Sequence, residues 1–161
     1  MRSPSGLQGN RIRWNDESAD MSTSYRQLHV HLVWTTAQRA SLLDSPIRLA
    51  LSAYLNARAR TLHCDLLAIG GTRDHVHALV SLHPSVDVAR LARELKAPSS
   101  GYIRRRFGAP GFAWQNGYGA FTVGREQLPV IVDYIREQQR HHHEGSLIAD
   151  LESVPAEDPH W

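Results

Sequence analysis

The chain has a single cysteine, Cys64, among its 161 residues, and one thiol excludes an intramolecular disulfide. Aromatic residues are scarce at 7%. No apolar run approaches the roughly 20 residues that cross a bilayer as a helix, so no membrane partner is expected. Charge of one sign is also lacking: the formal net charge is +2, which leaves a mixed, solvated surface as the ordinary reading, while the arginine-rich segments permit an anionic partner. The amino terminus has no basic segment followed by an apolar stretch like that of a secretory signal, so a reducing cytoplasm is the expected location. What remains is an ordinary globular composition, 42% hydrophobic, in a length that normally builds one domain around one core. The unusual abundance is histidine, with ten residues.

Residues 1–24 are polar and largely without a helix or strand period, and are read as a disordered extension; Met21 is a second candidate start. A domain is expected over residues 25–148, followed by a tail over 149–161. Alternation over 27–36 gives a first strand, with Leu28, Val30, Leu32 and Trp34 on one face and His29, His31 and Val33 on the other. Ser45 is read as the cap of a helix with Pro46 in its first turn, running to about Thr61. Residues 62–69 and 75–82 read as strands joined in a hairpin through Gly70 and Gly71. A helix capped by Ser85 carries an apolar stripe at Val88, Leu91, Ala92 and Leu95, and Pro98 is expected to end or kink it before a second piece over 102–107. A fourth strand is expected over 112–123 and a last helix from Leu128 or Pro129. The order is β-α-β-β-α-β plus one helix, an α+β split-βαβ arrangement.

Three features point to chemistry. In DHVHALV, His75 and His77 are two apart in a strand and therefore share a face, on the side away from the helices, where a metal or plain solvent could meet them. A third histidine, His29 or His31, borders that face if the first and third strands are neighbours. In DYIREQQRHHH, Tyr134 and Gln138 are four apart and on a continuous helix lie about 40° from one another, flanking the apolar stripe. His142 falls near that stripe and is read as structural, whereas His141 lies on the Tyr134 side, where it is a candidate to brace a metal ligand or to touch phosphate. Arg39, Lys96, Arg104, Arg105 and Arg106 are candidate contacts to a nucleic-acid backbone, with Trp114 and Tyr118 as stacking surfaces.

Together the blocks YRQLHVHLVWTTAQR, AIGGTRDHVHALVSL, ELKAPSSGYIRRRF, WQNGYGAFTV and YIREQQRHHH resemble the single-tyrosine HUH transposases, which include the REP-associated tyrosine transposases. The resemblance spans about residues 25–148. It implies a ferredoxin-like or RRM-like antiparallel sheet with a C-terminal helix carrying the nucleophile. Carried over by position, His75 and His77 match the paired metal ligands, Tyr134 the nucleophile and Gln138 the third ligand. His31 and His141 are then candidates for the surrounding shell. The implied partners are single-stranded DNA, hairpin-containing, and a second copy in a homodimer. Two departures are visible, in the proline at 98 and in a short tail after His143.

Such chemistry needs these groups. Phosphoryl transfer is governed by positioning and charge neutralisation, which a divalent metal, Mg²⁺ or Mn²⁺, supplies, and mixed nitrogen and oxygen donors also permit Zn²⁺. A tyrosine with a pKa of about 10 needs activation. The expected product is a 5′-phosphotyrosine with a free 3′-hydroxyl. A non-catalytic RRM-like nucleic-acid binder and an HUH replication or conjugation initiator remain as alternatives.

Overall fold

The computed structural model describes residues 25–155. The extension expected over 1–24, Met21 with it, and residues 156–161 of the expected tail lie outside the described residues. β1 (His29–Thr35) leads through a short 3-10 turn to α1 (Ser45–Thr61), then to the hairpin of β2 (Asp65–Gly71) and β3 (His75–Ser81). α2 (Val88–Phe107), β4 (Gly119–Thr122), α3 (Leu128–Arg136) and α4 (Gln138–Glu144) follow. The sheet order is β2-β3-β1-β4 with every pairing antiparallel, the α+β ferredoxin-like arrangement expected from the sequence. No helix among the described residues is long and apolar enough to cross a membrane.

Strand alternation sends side chains to two different environments. Val30, Leu32 and Trp34 of β1 and Val76, Ala78 and Val80 of β3 pack with Leu51 and Leu55 of α1 and Leu91 and Leu95 of α2 in the main core. The opposite face carries His31, His75 and His77. It is covered rather than open, because Ile131 and Ile135 of α3 pack on Ala68 and Leu79 in a second apolar cluster. The apolar stripe of α3 needs burial, and the histidine face is where the chain lays it.

β2 reaches this arrangement through a register shift between Leu66 and Ala68. Beyond it Ile69 pairs with Ala78 on the core face and Gly70 pairs with His77 on the histidine face. Glycine is required at 70, since a Cβ there would lie 1.7 Å from the carbonyl oxygen of Ile135. α3 thus rests its backbone directly on β2.

Several sequence expectations are corrected. Asp44, not Ser45, caps α1 by accepting from Ile47 N–H at 3.0 Å. Asp87, not Ser85, caps α2 by accepting from Arg90 N–H at 2.7 Å. α2 runs unbroken through Pro98. A proline leaves the carbonyl four residues earlier without its helical donor, and here that carbonyl, Glu94 O, faces Arg58 Nε of α1 at 3.4 Å. The fourth strand is only Gly119–Thr122. Ahead of it an isolated antiparallel bridge joins Trp114 to Thr36, Gly117 turns with φ +81, and Lys96 holds the carbonyls of Gln115 and Gly117. The last helix is two pieces, broken at Glu137 (φ −99, ψ 17), so Tyr134 and Gln138 stand on either side of a break and not on one continuous face.

Candidate functional site

β3 places His75 and His77 side by side, 2% and 0% exposed. The turn before β3 supplies the first orienting group. Asp74 Oδ1 lies 2.7 Å from His75 Nδ1 and accepts from the Thr72 hydroxyl at 2.8 Å. A carboxylate at Nδ1 fixes the proton there and leaves the Nε2 lone pair free. The Asp74 pKa is accordingly depressed, first by its bond to His75.

His77 is braced from β1, where His31 Nε2 sits 2.8 Å from His77 Nδ1 with the rings stacked. Burial pushes His31 down to about 3 and also depresses His77. Both rings are therefore neutral, and one N–H is shared between them. His142, on α4, has its ring centroid 4.7 Å from that of His75 and is depressed by burial as well. Neutral imidazoles are the form that binds metals.

Opposite these rings stands Glu152, just beyond the 3-10 turn Ala149–Leu151. Its Oε2 lies 3.7 Å from His75 Nε2, 3.3 Å from His77 Nε2 and 3.6 Å from His142 Nε2. The buried Nε2 atoms of His77 and His142 have no aligned hydrogen bond among the described residues. Burial alone would raise the Glu152 pKa, but His77, Tyr134 and His75 bring it down to about 2. Gln138, 1% exposed, points its Oε1 at His75 Nε2 from 3.4 Å and donates its Nε2 to Glu152 Oε1 at 3.2 Å.

These donors fit a cation. With its proton on the Asp74 side, His75 turns a lone pair toward the Gln138 carbonyl oxygen, an acceptor facing an acceptor. Ligands on a tetrahedral ion with bonds of about 2.1 Å stand roughly 3.4 Å apart, close to the separations around Glu152 Oε2. His75, His142 and Glu152 offer ligand atoms all within 4.8 Å of one another.

Tyr134 completes the cluster from α3, 4% exposed. Its hydroxyl donates to Glu152 Oε1 at 2.5 Å and accepts from Ile148 N–H at 3.1 Å. Burial, then the bond to Glu152, raises its pKa. The structure thus brings His75, His77, Tyr134, Gln138 and His31 together. His141 stays outside the donor set, its ring 4.8 Å from that of Tyr134 and its Nδ1 paired with Ser146 Oγ at 2.9 Å.

Of the basic residues singled out in the sequence, only Arg39 reaches the site, through Asp74. Arg39 pairs with Asp74 at 3.4 Å, Lys96 is held by two carbonyls, and Arg104 donates to Phe112 O at 2.9 Å. Arg105 and Arg106 are exposed on the last turn of α2. Trp114 donates to Ser99 Oγ and packs edge-on against Trp34 and Phe112, while Tyr118 packs against the core.

Sequence reasoning missed three members of this site. Asp74 had a signal, a carboxylate directly before the His-x-His. His142 had one too, a single helical turn beyond Gln138. Glu152 had none, lying in a segment without periodicity.

A covered sheet face bearing buried histidines, an amide oxygen and a carboxylate that also binds a tyrosine hydroxyl, with donors able to hold a metal ion, defines a catalytic domain of the HUH type. Residues 24–138 match the family model described as "Transposase IS200 like", and the chain belongs to that family. Transposases for insertion sequence element IS200 from Salmonella typhimurium and Salmonella typhi are each 27% identical over 114 residues, covering 67% of this chain and 74% of the relative. A crystal structure from Deinococcus radiodurans R1 assigned as a transposase superposes with a TM-score of 0.61 at 26% identity, over 76% of this chain and 97% of that one. A REP-associated tyrosine transposase bound to a REP hairpin shares the fold at a TM-score of 0.56 and 18% identity, over 76% and 74% of the two chains.

Proposed function

We propose that this protein cleaves and rejoins single-stranded DNA through a 5′-phosphotyrosine intermediate, with Tyr134 as nucleophile and Mg²⁺ or Mn²⁺ held by His75, His77 and Gln138 with Glu152. One observation carries the reading. The Tyr134 hydroxyl and the Nε2 atoms of His75 and His77 meet on the two oxygens of a single carboxylate, Glu152, at 2.5, 3.7 and 3.3 Å. Nucleophile and cation donors therefore stand within the span of one side chain.

The bound cation would neutralise charge on the phosphate under attack. Asp74 and His31 hold the two imidazoles in their tautomers, and Gln138 and Glu152 fix the remaining donor oxygens. In the cleavage step the Tyr134 Oη to phosphorus bond forms as the phosphorus to O3′ bond breaks. The phenolic proton has Glu152 Oε1 within reach, and the departing O3′ takes a proton from water. One phosphodiester replaces another, so a second 3′-hydroxyl can reverse the step and join strands. The hairpin-bearing strand and the homodimer expected from the sequence resemblance belong to the same proposal.

Incubating labelled single-stranded DNA with Mn²⁺, with and without chelator, tests it on a denaturing gel. The wild type should give a metal-dependent covalent adduct, and Tyr134→Phe should give none while melting at a similar temperature. An undiminished adduct in Tyr134→Phe would move the nucleophile elsewhere, with Tyr118 next. DNA retained in chelator with no adduct under any divalent metal would leave a binding protein in place of an enzyme.

A further inference from the structure

Beside the histidine cluster a groove runs between α1 and the edge strand β2. A cleft of about 550 Å³ lies there, with His75 in its lining and Arg48, Arg136 and Arg140 along its walls. Two further hollows extend it. One of about 350 Å³ shares Arg48 and Gln139 and adds Arg73, and one of about 390 Å³ shares Ser52 and Arg136 and runs on to Asn56. Together they make a trench following α1 from Ser45 to Asn56, about 16 Å at the helical rise.

Four arginines line this trench against two acids, and both acids are engaged. Asp44 caps α1, and Glu137 is ion-paired with Arg140. Arg48 is held in place by Leu43 O at 2.6 Å and Ser45 Oγ at 3.0 Å. Arg136 is exposed and has no partner among the described residues. Leu49, 77% exposed, adds an apolar surface in the same wall. A single anion would need one arginine pair, whereas a trench of this length suits about three to five phosphates at the spacing of a stacked strand. Guanidinium groups are the side chains best matched to phosphate.

We propose that this trench binds the polynucleotide backbone flanking the phosphate presented to His75 and Tyr134, in place of the surface around Lys96 and Arg104–Arg106. The proposal rests on the DNA-cleavage reading above. The contrast is one of position, because none of Arg39, Lys96 or Arg104–Arg106 lines the cleft that His75 borders, and Lys96 lines a separate hollow.

Fluorescence anisotropy of a labelled single-stranded oligonucleotide, in chelator and over a salt series, separates binding from cleavage. Arg136→Ala with Arg140→Ala should weaken binding about 5- to 30-fold and lower the slope of log affinity against log salt by about 1.4, the loss of two single-strand phosphate contacts. Arg136→Gln alone should lower it by about 0.7. Arg90→Ala with Arg125→Ala, removing two exposed arginines elsewhere, should leave both quantities unchanged. A wild type that forms the adduct, with trench variants that bind as tightly at an unchanged slope, overturns the trench alone. A wild type that forms no adduct but binds DNA, with that binding lost in the trench variants, overturns the nucleophile assignment and keeps the trench. A wild type that does neither overturns both.

Discussion

Replacing Gly70 by alanine tests whether the tyrosine is positioned by backbone contact. The added Cβ would sit 1.7 Å from Ile135 O and 2.7 Å from its carbonyl carbon. Real Cβ atoms essentially never approach closer than 3.0 Å, so α3 must lift by more than 1 Å, and the obstacle is backbone with no rotamer to yield. Overpacking of this kind costs about 1–3 kcal/mol, which in a domain of this size lowers Tm by roughly 3–10 °C. Tyr134 is one residue before Ile135 and moves with it. A displacement of about 1 Å in a reacting group can cost on the order of 100-fold in rate. Gly70→Ala should therefore fold, retain a lowered Tm and form the DNA adduct about 100-fold more slowly under saturating Mn²⁺. A rate within threefold of wild type at an unchanged Tm would show that α3 does not rest on this glycine and would undo the reasoning.

Asp74→Asn removes the carboxylate that sets the His75 tautomer and should weaken Mn²⁺ binding about 10- to 100-fold, measured by electron paramagnetic resonance of free Mn²⁺; unchanged affinity would reduce Asp74 to a turn residue. Glu152→Gln should raise the Mn²⁺ midpoint for cleavage more than Gln138→Ala, because it removes a charged donor, while His75→Ala and His77→Ala should be the most damaging; equal midpoints in the wild type and Glu152→Gln would place that carboxylate outside the metal shell. In chelator, His31 and His77 have folded pKa values below the ordinary 6.5, so the unfolded chain binds more protons under that pH. Stability should be full above about pH 6.5 and fall by up to about 1.4 kcal/mol per histidine for each unit below it, followed by urea denaturation; a flat profile from pH 7 to 5 would contradict the buried neutral pair.

The sheet was legible in the sequence because strand alternation leaves a period of two that survives in HVHLVW and HVHALV, and the fold follows once those strands flank two amphipathic helices. The His75 and His77 pair was legible for the same reason, as was the nearness of a histidine of β1, with His29 and His31 equally open. The environment of that face was less so, since what covers a sheet depends on where a later helix docks. α2 shows a local rule overridden from a distance, with Arg58 on another helix facing the carbonyl that Pro98 leaves without its helical donor. The break at Glu137 left no mark, as nothing in YIREQQ disfavours a helix. Glu152 was hidden by separation: it reaches the site through tertiary packing of a segment whose own residues carry no pattern.

The one-residue slip in β2 has a consequence for how this chain can vary in length. Upstream of it Leu66 faces the main core, and without the slip residue 70 would face the same way and Ile69 would turn its branched side chain up under α3. The offset acts like a change of phase between two halves of a strand: it inverts the parity of everything after it and delivers the smallest residue to the place where two backbones touch. In DLLAIGG, then, spacing matters more than composition. Exchanging one aliphatic residue for another leaves the phase intact, whereas gaining or losing a single residue there would keep the sheet paired and the core greasy while turning the floor of the tyrosine helix upside down.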